Sequence, residues 1–372
     1  MKSENHPLIS IITPFYNPRL NYFKQAIESI LAQSYVNWEV VIVNDGSTDV
    51  NKKFLEEFLV QLEDPRIKIL HLDKNYGVSY AMNKGIEASK GEIVTILDSD
   101  DIYLPWYLEK ALSYFQNEKK CLILACLLLY YFPFFKRKSI FLSAQQNRFI
   151  SKENNLEGFH DSLQQSKHIL LYTPMLIIHK SALKNLSFDV ELKTGEDTDL
   201  CLQILSNESL YKHVEIHKSP GYLYRVHASK ERLIQRNDLI YRSLYKIKNK
   251  YNKENSPLND YIKKWCLNDE WKFCKQLADF YEKGSLMCYF TDSFASFNST
   301  KDKIKSIRAL LYSIIEFSLL TKLLKIDTRH LPQIITGVNK TNSIKEEFKN
   351  HLGNCSDMLA RNRAVKLYNQ IF

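Results

Sequence analysis

Three carboxylates stand within four positions, directly after one of the most apolar runs of the chain. Asp98, Asp100 and Asp101 follow residues 92–97, whose composition is that of a buried strand. Their mutual repulsion would raise their pKa values unless a cation or hydrogen-bond donors compensated for it. Oxygen ligands suit Mg²⁺ or Mn²⁺, and such ions take one or two protein carboxylates and share their other ligands with substrate phosphates. The motif therefore predicts a site for a divalent cation.

A second acidic group lies in residues 194–200, where Glu196 and Asp197 open a predicted helix. A carboxylate within hydrogen-bond reach of a hydroxyl group can remove its proton during an attack, which is general base catalysis. Acidic residues in the first turn of a helix also cap it and interact favourably with its dipole. Taken alone, this motif leaves both interpretations open.

Two smaller motifs offer further polar groups. Asp45 belongs to residues 44–49, whose Asn, Asp, Gly and Ser residues favour a tight turn with a helix cap. Arg225 and His227 combine a cation with an imidazole, which suits contacts with a diphosphate or a metal ion. Taken singly, a surface ion pair for Arg225 and a hydrogen-bonded His227 are the simpler interpretations.

The elements that must position these groups alternate along the first part of the chain. Strands are predicted over 8–13, 38–43, 67–72 and 92–97, with helices over 20–31, 49–62 and 77–89 between them. Such alternation indicates parallel strands joined by right-handed crossovers, with functional groups at the carboxyl ends of the strands. Further on, we expect a helix over about 105–116, strand and loop in the apolar residues 121–135, a strand over 168–179 and a helix from Glu196.

Composition limits the class of protein. With 372 residues, 45% of them hydrophobic and 25% charged, the chain is long enough for a large α/β core and is neither disordered nor a multi-span membrane protein. Its seven cysteines include no Cys-x-x-Cys pair, which argues against a zinc site or a disulfide framework. No signal-peptide pattern opens the chain, so a cytoplasmic protein is expected.

The formal charge of +9 is unevenly distributed, since residues 1–230 carry −1 and residues 231–372 carry +10. We therefore expect a nearly neutral catalytic domain over 1–230 and a basic α-helical region over 231–372. Within that region, apolar residues over 302–326 recur at helical spacing with basic residues toward the ends. Packing on the first domain, a homo-oligomer contact and an in-plane contact with an anionic membrane remain open for this helix. No nucleic-acid-binding signature is present, so no nucleic-acid partner is expected.

Taken together and in order, the motifs resemble those of the family 2 inverting glycosyltransferases with the GT-A fold, of the bacterial surface-polysaccharide type. The resemblance covers roughly residues 7–229 and rests on IITPFYN (11–17), VIVNDGSTD (41–49), NYGVS (75–79) with NKG (83–85), DSDD (98–101) and GED (195–197). It implies an α/β fold in which helices flank a Rossmann-like mixed, mostly parallel sheet, followed here by a C-terminal α-helical region.

The resemblance also implies an activity. A sugar would pass from a nucleotide-sugar donor, UDP-linked, to a hydroxyl group of the acceptor, with Mn²⁺ or Mg²⁺ as cofactor. The acceptor would be a saccharide or a lipid-linked glycan in surface polysaccharide, lipopolysaccharide or capsule biosynthesis. Such an enzyme would work in the cytoplasm, with peripheral contact on the cytoplasmic face of the inner membrane.

Residue roles follow from the same resemblance. In such enzymes the loop after the first strand lines the nucleobase and ribose, and the acid after the second strand, here Asp45, receives the uracil edge. Asp98 would hold ribose or sugar hydroxyls, and Asp100 the metal ion that bridges the diphosphate. Asp197 becomes the general base, with Glu196 beside it. The remaining implied contacts are Thr13, Pro14, Phe15, Tyr16, Asn75, Gly77, Asn83 and Arg225 for the donor, and Asp98 and His227 as further metal ligands.

One position departs from the family pattern, and two other functions stay open. Met82 stands where many relatives have an arginine, so no fixed cation is expected there. A sugar nucleotidyltransferase shares a related fold, but it normally has a glycine-rich loop with a basic residue where this chain has Pro14 to Asn17. A degenerate, non-catalytic assembly partner is the other alternative; the intact Asp98, Asp100 and Asp197 argue against it and Met82 argues for it.

Overall fold

The computed structural model describes residues 6–117, 123–132, 139–142, 176–211, 213–225 and 338–372, together with positions 243, 246, 247 and 249–251. Within these ranges the predicted alternation of strands and helices is confirmed. Four parallel strands form one half of the sheet, in the order β3, β2, β1, β4. These strands and the helices between them are β1 (Ile9–Phe15), α1 (Leu20–Leu31), β2 (Trp38–Asp45), α2 (Asp49–Leu62), β3 (Ile67–Leu72), α3 (Val78–Ala88) and β4 (Ile93–Ile96).

The other half of the sheet is mixed. From β4 the order continues through β8, β6 and β7 to β10, with β8 antiparallel to β4, while β9 runs parallel to β6 and antiparallel to β5. The elements are β5 (Ile102–Tyr103), α4 (Tyr107–Asn117), β6 (Ile123–Phe132), β7 (Ser139–Leu142), β8 (Leu176–His179), α5 (Glu196–Ser206), α6 (Glu208–Tyr211), β9 (Val214–Arg225), β10 (Val338–Asn339), α7 (Thr341–Asn354) and α8 (Met358–Ile371).

Both faces of the parallel strands are covered, because successive side chains of β1 point to opposite sides. Ile11 packs with Phe23 and Ile27 of α1 in one apolar cluster. Ile12 packs in a second cluster that contains Met82 of α3 and Ile204 of α5. A mostly parallel sheet between two helical layers confirms the predicted α/β class.

Two strands run further than the sequence predicts. Asn44 and Asp45 belong to β2, where they pair with His71 and Leu72, although their residue types favour a turn. β1 likewise extends to Phe15, which lies opposite Asn44. Sheet pairing overrides local turn preference here, and it carries Asp45 to the last position of its strand.

The C-terminal residues continue the same structure. β10 pairs antiparallel with β7, and α8 packs against α1. A third apolar cluster joins Leu104 and Leu129 to Ile344, Phe348 and Leu367. The helical C-terminal region is thereby confirmed for α7 and α8, whereas the predicted helix over 302–326 lies outside the described residues and the boundary at residue 230 stays a prediction.

No helix in the described part of the chain has the length and apolar character needed to cross a membrane.

Candidate active site

Asp45 closes β2 and holds the loop that leads into α3. Its Oδ1 accepts a hydrogen bond from Tyr76 N at 2.8 Å and its Oδ2 accepts one from Gly77 N at 2.9 Å. Asn75 Nδ2 donates to the Asp45 carbonyl oxygen at 3.4 Å. Burial raises the pKa of the Asp45 carboxyl, although these hydrogen bonds and the charge of Lys193 act in the opposite direction. Asp45 is therefore a buried carboxylate whose orientation is fixed from both oxygens.

Gly46 allows this loop to come close. Its φ of +66° favours glycine, and a Cβ there would stand 2.3 Å from the carbonyl carbon of Lys74. The chain from Lys74 to Gly77 therefore passes directly over the end of β2, which places Asn75 and Gly77 beside Asp45; their contacts with a donor stay a prediction.

The loop after β1 is tied to the same place. Asn17 Oδ1 accepts from Thr48 N at 2.9 Å, and Asn17 N donates to Ser47 Oγ at 3.1 Å. Tyr16 is 53% exposed, whereas Phe15 is fully buried and meets Phe23 edge-on with 4.8 Å between ring centroids. Of these two aromatic rings, only that of Tyr16 is open to a ligand; Phe15 is a core residue, since it lies on the α1 face of β1.

Thr13 carries a buried hydroxyl group near the end of β1. Its Oγ1 has no hydrogen-bond partner among the described residues, and the same holds for Ser79 Oγ in the first turn of α3. Unpartnered buried hydroxyl groups are uncommon and costly, by about 1 to 3 kcal/mol each.

The three carboxylates of the acidic turn after β4 differ in burial: Asp101 is buried, whereas Asp98 and Asp100 are partly exposed. Asp101 is fully buried, and it accepts hydrogen bonds from Tyr222 Oη and from Arg225 N, each at 2.7 Å. Burial, together with the charges of Asp100 and Asp98, raises the pKa of Asp101 well above its ordinary value. Asp101 anchors the turn to β9, so Asp98 and Asp100, which are partly exposed, are the carboxylates that face outward.

Arg225 stabilises this turn through hydrogen bonds from β9. Its Nε donates to the Asp100 carbonyl oxygen at 2.7 Å, and its guanidinium lies 4.3 Å from the ring centroid of Tyr22. Only 1% of the residue is exposed, so these contacts identify it as a support of the acidic turn; its predicted contact with a diphosphate stays a prediction. His227, the predicted metal ligand two residues later, lies outside the described residues.

The second acidic motif opens α5, as predicted, after Gly195 in the left-handed conformation. Burial raises the pKa of Asp197, whose Oδ1 accepts from Thr198 N at 2.6 Å. Burial also raises the pKa of Glu196 to about 8, and repulsion from Asp197 and from Asp98 adds to the effect. Because Asp98 influences Glu196, the two acidic motifs lie within electrostatic reach of each other at one edge of the sheet.

Asp199 is a member of the second motif that the sequence did not single out. It is fully buried and lies 2.9 Å from Lys250 Nζ, and it accepts from Tyr251 Oη at 2.9 Å and from Gln203 Nε2 at 2.7 Å. Asp199 thus fastens α5 to the segment around residue 250. Its acidic type alone signals only a helix cap, since a partner 51 residues away cannot be read from local spacing.

Part of the chain is similar in sequence to a known protein family. Residues 10–185, which contain Asp45, Asp98 and Asp100, match the sequence model of glycosyl transferase family 2. This part of the chain is thus similar in sequence to glycosyl transferase family 2. We refer to it below as the family 2 domain.

Curated relatives of the family 2 domain include two bacterial proteins. Glycosyltransferase GlyG of Streptococcus pneumoniae is 43% identical over 95 residues, which are 26% of this chain and 31% of GlyG. Minor teichoic acid biosynthesis protein GgaB of Bacillus subtilis is 31% identical over 227 residues, which are 60% of this chain and 23% of GgaB. The chain thus spans less than a third of the length of either protein.

Solved structures show the same fold. The structure of S. aureus TarS 1–349 superposes with a TM-score of 0.52 at 20% sequence identity, covering 75% of this chain and 76% of that one. Mannosyltransferase PcManGT from Pyrobaculum calidifontis, solved with GDP-Man and Mn²⁺, gives a TM-score of 0.50 at 14% identity, covering 84% and 87%. These likenesses confirm the GT-A-like fold.

Asn83 and Met82 have structural roles in the family 2 domain. Asn83 Nδ2 donates to the Phe188 carbonyl oxygen at 2.8 Å, and its Oδ1 accepts from Phe188 N at 3.0 Å. Asn83 also borders a cavity of about 800 Å³ next to Gln203 and Tyr251, and neither Asp45 nor Asp98 is among the described residues that line it. Met82 is 2% exposed within the apolar cluster of Ile12, so α3 directs no cation to the site from that position.

The donor atoms present fit a divalent cation of the Mg²⁺ or Mn²⁺ type. Among the described residues, no cluster of three His, Cys, Asp or Glu side chains forms a complete metal cage. Asp98 and Asp100 nevertheless supply two outward-facing carboxylates, which is the number that Mg²⁺ commonly takes when phosphate oxygens and water complete its shell. The electrostatic repulsion among Asp98, Asp100 and Asp101 is the kind that a bound cation relieves.

Proposed function

We propose that the protein is a metal-dependent, inverting glycosyltransferase that transfers a sugar from a UDP-linked donor to a hydroxyl group of a surface polysaccharide or a lipid-linked glycan. The observation that carries the proposal is that the two acidic motifs lie within electrostatic reach of each other at one edge of the sheet. Asp98 and Asp100 face outward there, and the charge of Asp98 is felt at Glu196 beside Asp197. A transferase needs these two tasks, stabilisation of a leaving diphosphate and removal of a proton, in one place.

Asp197 is the general base in this proposal. A carboxylate with a raised pKa is a better proton acceptor than an exposed aspartate, and it stays ionised when the pH lies above that pKa. Asp197 would take the proton of the acceptor hydroxyl group. The oxygen of that hydroxyl group attacks the anomeric carbon while the bond between this carbon and the diphosphate breaks. One displacement without a covalent intermediate inverts the anomeric configuration, so an α-linked donor gives a β-linked product.

Asp98 and Asp100 hold the donor end. When bound, a Mg²⁺ or Mn²⁺ ion neutralises the charge that develops on the departing diphosphate. Asp100 would bind this ion with Asp98 beside it, while Asp101, Tyr222 and Arg225 keep the turn in place through their hydrogen bonds. The support residues therefore preorganise a site whose ligands stay exposed.

Two observations favour a UDP-linked donor. The buried Asp45 offers a carboxylate acceptor at the nucleotide end, which suits the N3–H group of uracil. The TarS structure with UDP-GlcNAc has the same fold, with a TM-score of 0.51. GDP-Man, the ligand named for PcManGT, is the alternative donor that a screen should include.

The relatives support the proposed class of acceptor. GgaB is named for minor teichoic acid biosynthesis, and a glycan of the cell surface, including lipopolysaccharide or capsule, is the acceptor class that we propose here. The chain covers only 23% of GgaB, so the acceptor is to be tested directly on polymer fragments and lipid-linked glycans.

The direct test is release of nucleoside diphosphate from a set of nucleotide sugars with Mn²⁺, repeated after chelation. We expect release from a UDP-sugar that chelation abolishes. Asp100→Ala and Asp197→Ala should each abolish transfer, but only Asp100→Ala should also weaken metal-dependent binding of the donor. Glu87→Ala, a change at an exposed carboxylate of α3, is the control and should keep the wild-type rate. Near-full turnover of Asp197→Ala would refute the assignment of the base.

We also propose that the basic C-terminal region brings the protein to a membrane surface. The charge of +10 over residues 231–372 supports peripheral contact with an anionic membrane at its cytoplasmic face, where each basic residue contributes about 1 kcal/mol of attraction. In a flotation experiment, the full chain should rise with vesicles that contain anionic lipid. It should remain at the bottom of the gradient when the vesicles are purely zwitterionic. Equal recovery with both kinds of vesicle would exclude this contact and leave packing or a homo-oligomer as the role of the region.

A further inference from the structure

Lys193 lies at the nucleotide end of the site, although it belongs to the loop before α5. Its Nζ is 3.8 Å from the point where a Cβ at Gly77 would stand. Gly77 in turn donates its N–H to Asp45 Oδ2 at 2.9 Å. The charge of Lys193 also acts to lower the pKa of Asp45, against the effect of burial. An ammonium donor and a carboxylate acceptor therefore lie side by side around Gly77.

Gly77 leaves room for this approach. Its φ of +101° is one that residues with a side chain rarely adopt, and Lys193 Nζ is the described atom that a Cβ there would meet. Lys193 is exposed, so its ammonium group is open to a ligand that binds beside Gly77 and Asp45.

Other cations near this place have different contacts. Lys74 Nζ lies 5.0 Å from the ring centroid of Tyr76, and Lys84 Nζ lies 5.6 Å from that of Tyr80 and forms an ion pair with Glu87. α3 contributes Met82, which is buried in an apolar cluster. Lys193 is the cation that the geometry places next to Asp45.

This pair of groups complements one edge of uracil. Uracil presents an N3–H donor next to the O4 acceptor, so a carboxylate and an ammonium group side by side match both atoms. Cytosine presents the reverse pattern, an N3 acceptor next to an N4 amino donor, and would leave both protein groups without a partner. A site built to hydrogen-bond one pattern rejects the other strongly, because unpaired polar groups are costly.

We propose that Lys193 is a specificity-determining residue, which donates a hydrogen bond to O4 of the uracil of the donor while Asp45 accepts one from N3. The proposal rests on the proposed function, since it assumes a nucleotide donor at this end of the site. Base selection thus uses one group of the family 2 domain, Asp45, and one group of the chain that follows it, Lys193.

Binding of UDP and of CDP to the full chain with Mn²⁺ present tests this role. We expect Lys193→Met to weaken UDP binding by about tenfold or more, the effect of losing one charge-assisted hydrogen bond, and to change CDP binding by less than about threefold. Lys193→Arg keeps a donor and should recover part of the preference for UDP. Lys184→Met, at an exposed lysine of the preceding 3₁₀ turn (Ala182–Asn185), is the matched control and should bind as the wild type does.

Four outcomes would overturn the inference. If Lys193→Met lost affinity equally for UDP and CDP, Lys193 would contact the phosphates and not the base. If its affinity for UDP were unchanged, Lys193 would contact neither the base nor the phosphates. A wild type that binds UDP and CDP equally well would show that the base is not selected by its edge. A wild type that binds no nucleotide at all would refute the proposed nucleotide donor as well. This result differs from the others, which refute only the role of Lys193.

Discussion

Glu196 and Asp197 are neighbouring carboxyl groups, and burial raises the pKa of both. Burial and the charges of Asp197 and Asp98 raise the pKa of Glu196 to about 8, so this group is mostly protonated at pH 7 and can donate a hydrogen bond. We expect Glu196→Gln, which keeps a donor, to retain turnover within about tenfold. Asp197→Asn removes the base and should lower kcat by about 10² to 10⁴. Equal losses in the two variants, measured as kcat at saturating donor, would contradict this division of roles.

The pKa of Asp197 also predicts how activity depends on pH. A base works only when it is deprotonated, and burial raises the pKa of Asp197 above its ordinary value. Activity should therefore fall on the acid side at a higher pH than an exposed aspartate would produce. The measurement is kcat/KM from pH 4 to 9 at constant ionic strength and metal concentration. An acid limb at the pH typical of an exposed aspartate would contradict the assignment.

At the scale of elements, the sequence predicted what local pattern controls. α1 spans Leu20–Leu31 and β3 spans Ile67–Leu72 as predicted, because apolar spacing and turn residues decide such boundaries. The predicted groups Asp98 and Asp197 lie next to the ends of the expected elements for the same reason, whereas sheet pairing extends β2 to include Asp45.

Contacts between distant parts of the chain could not be predicted in this way. Tyr222 donates to Asp101 across 121 positions, and the pairing of β5 with β9 that makes this possible leaves no local signal. Lys193 reaches Gly77 by the same kind of long-range approach. Such contacts arise only when the sheet assembles, and they decide which carboxylates are anchored and which remain open.

The link between α5 and the segment around residue 250 leads to a prediction about stability. Lys250→Met would leave the fully buried Asp199 without its cation, although Tyr251 and Gln203 would still donate to it. Because Lys250 is itself 40% exposed, we expect a loss of about 1 to 3 kcal/mol in the free energy of unfolding, measured with urea.

Lys246→Met is the matched control for this change. Lys246 lies one turn earlier and pairs with Glu191 at 3.4 Å, and both side chains are exposed. Removing such a pair should cost less than about 1 kcal/mol. Equal effects of the two substitutions would show that the buried carboxylate does not depend on Lys250.

For the whole molecule, charge and packing divide the chain differently. The charge changes near residue 230, yet α7 and α8 share an apolar cluster with Leu104 of the family 2 domain, and β10 extends the sheet. A shared core means that residues 338–372 should unfold together with the sheet rather than as a separate unit. The change of charge near residue 230 therefore does not mark the end of the folded unit, because residues 338–372 pack with the family 2 domain.

Phe348 tests this joint unfolding. It is fully buried and meets Trp106 and Tyr368 edge-on, each with 5.4 Å between ring centroids. Phe348→Ala should lower the stability of the whole protein by about 3 to 5 kcal/mol and keep a single thermal transition, because the cavity opens in a core common to both parts. Leu359→Ala, at a residue of α8 that is 59% exposed, should leave the transition within about 0.5 kcal/mol of the wild type. A second transition, or an unchanged main transition in Phe348→Ala, would show that the C-terminal helices fold independently of the family 2 domain.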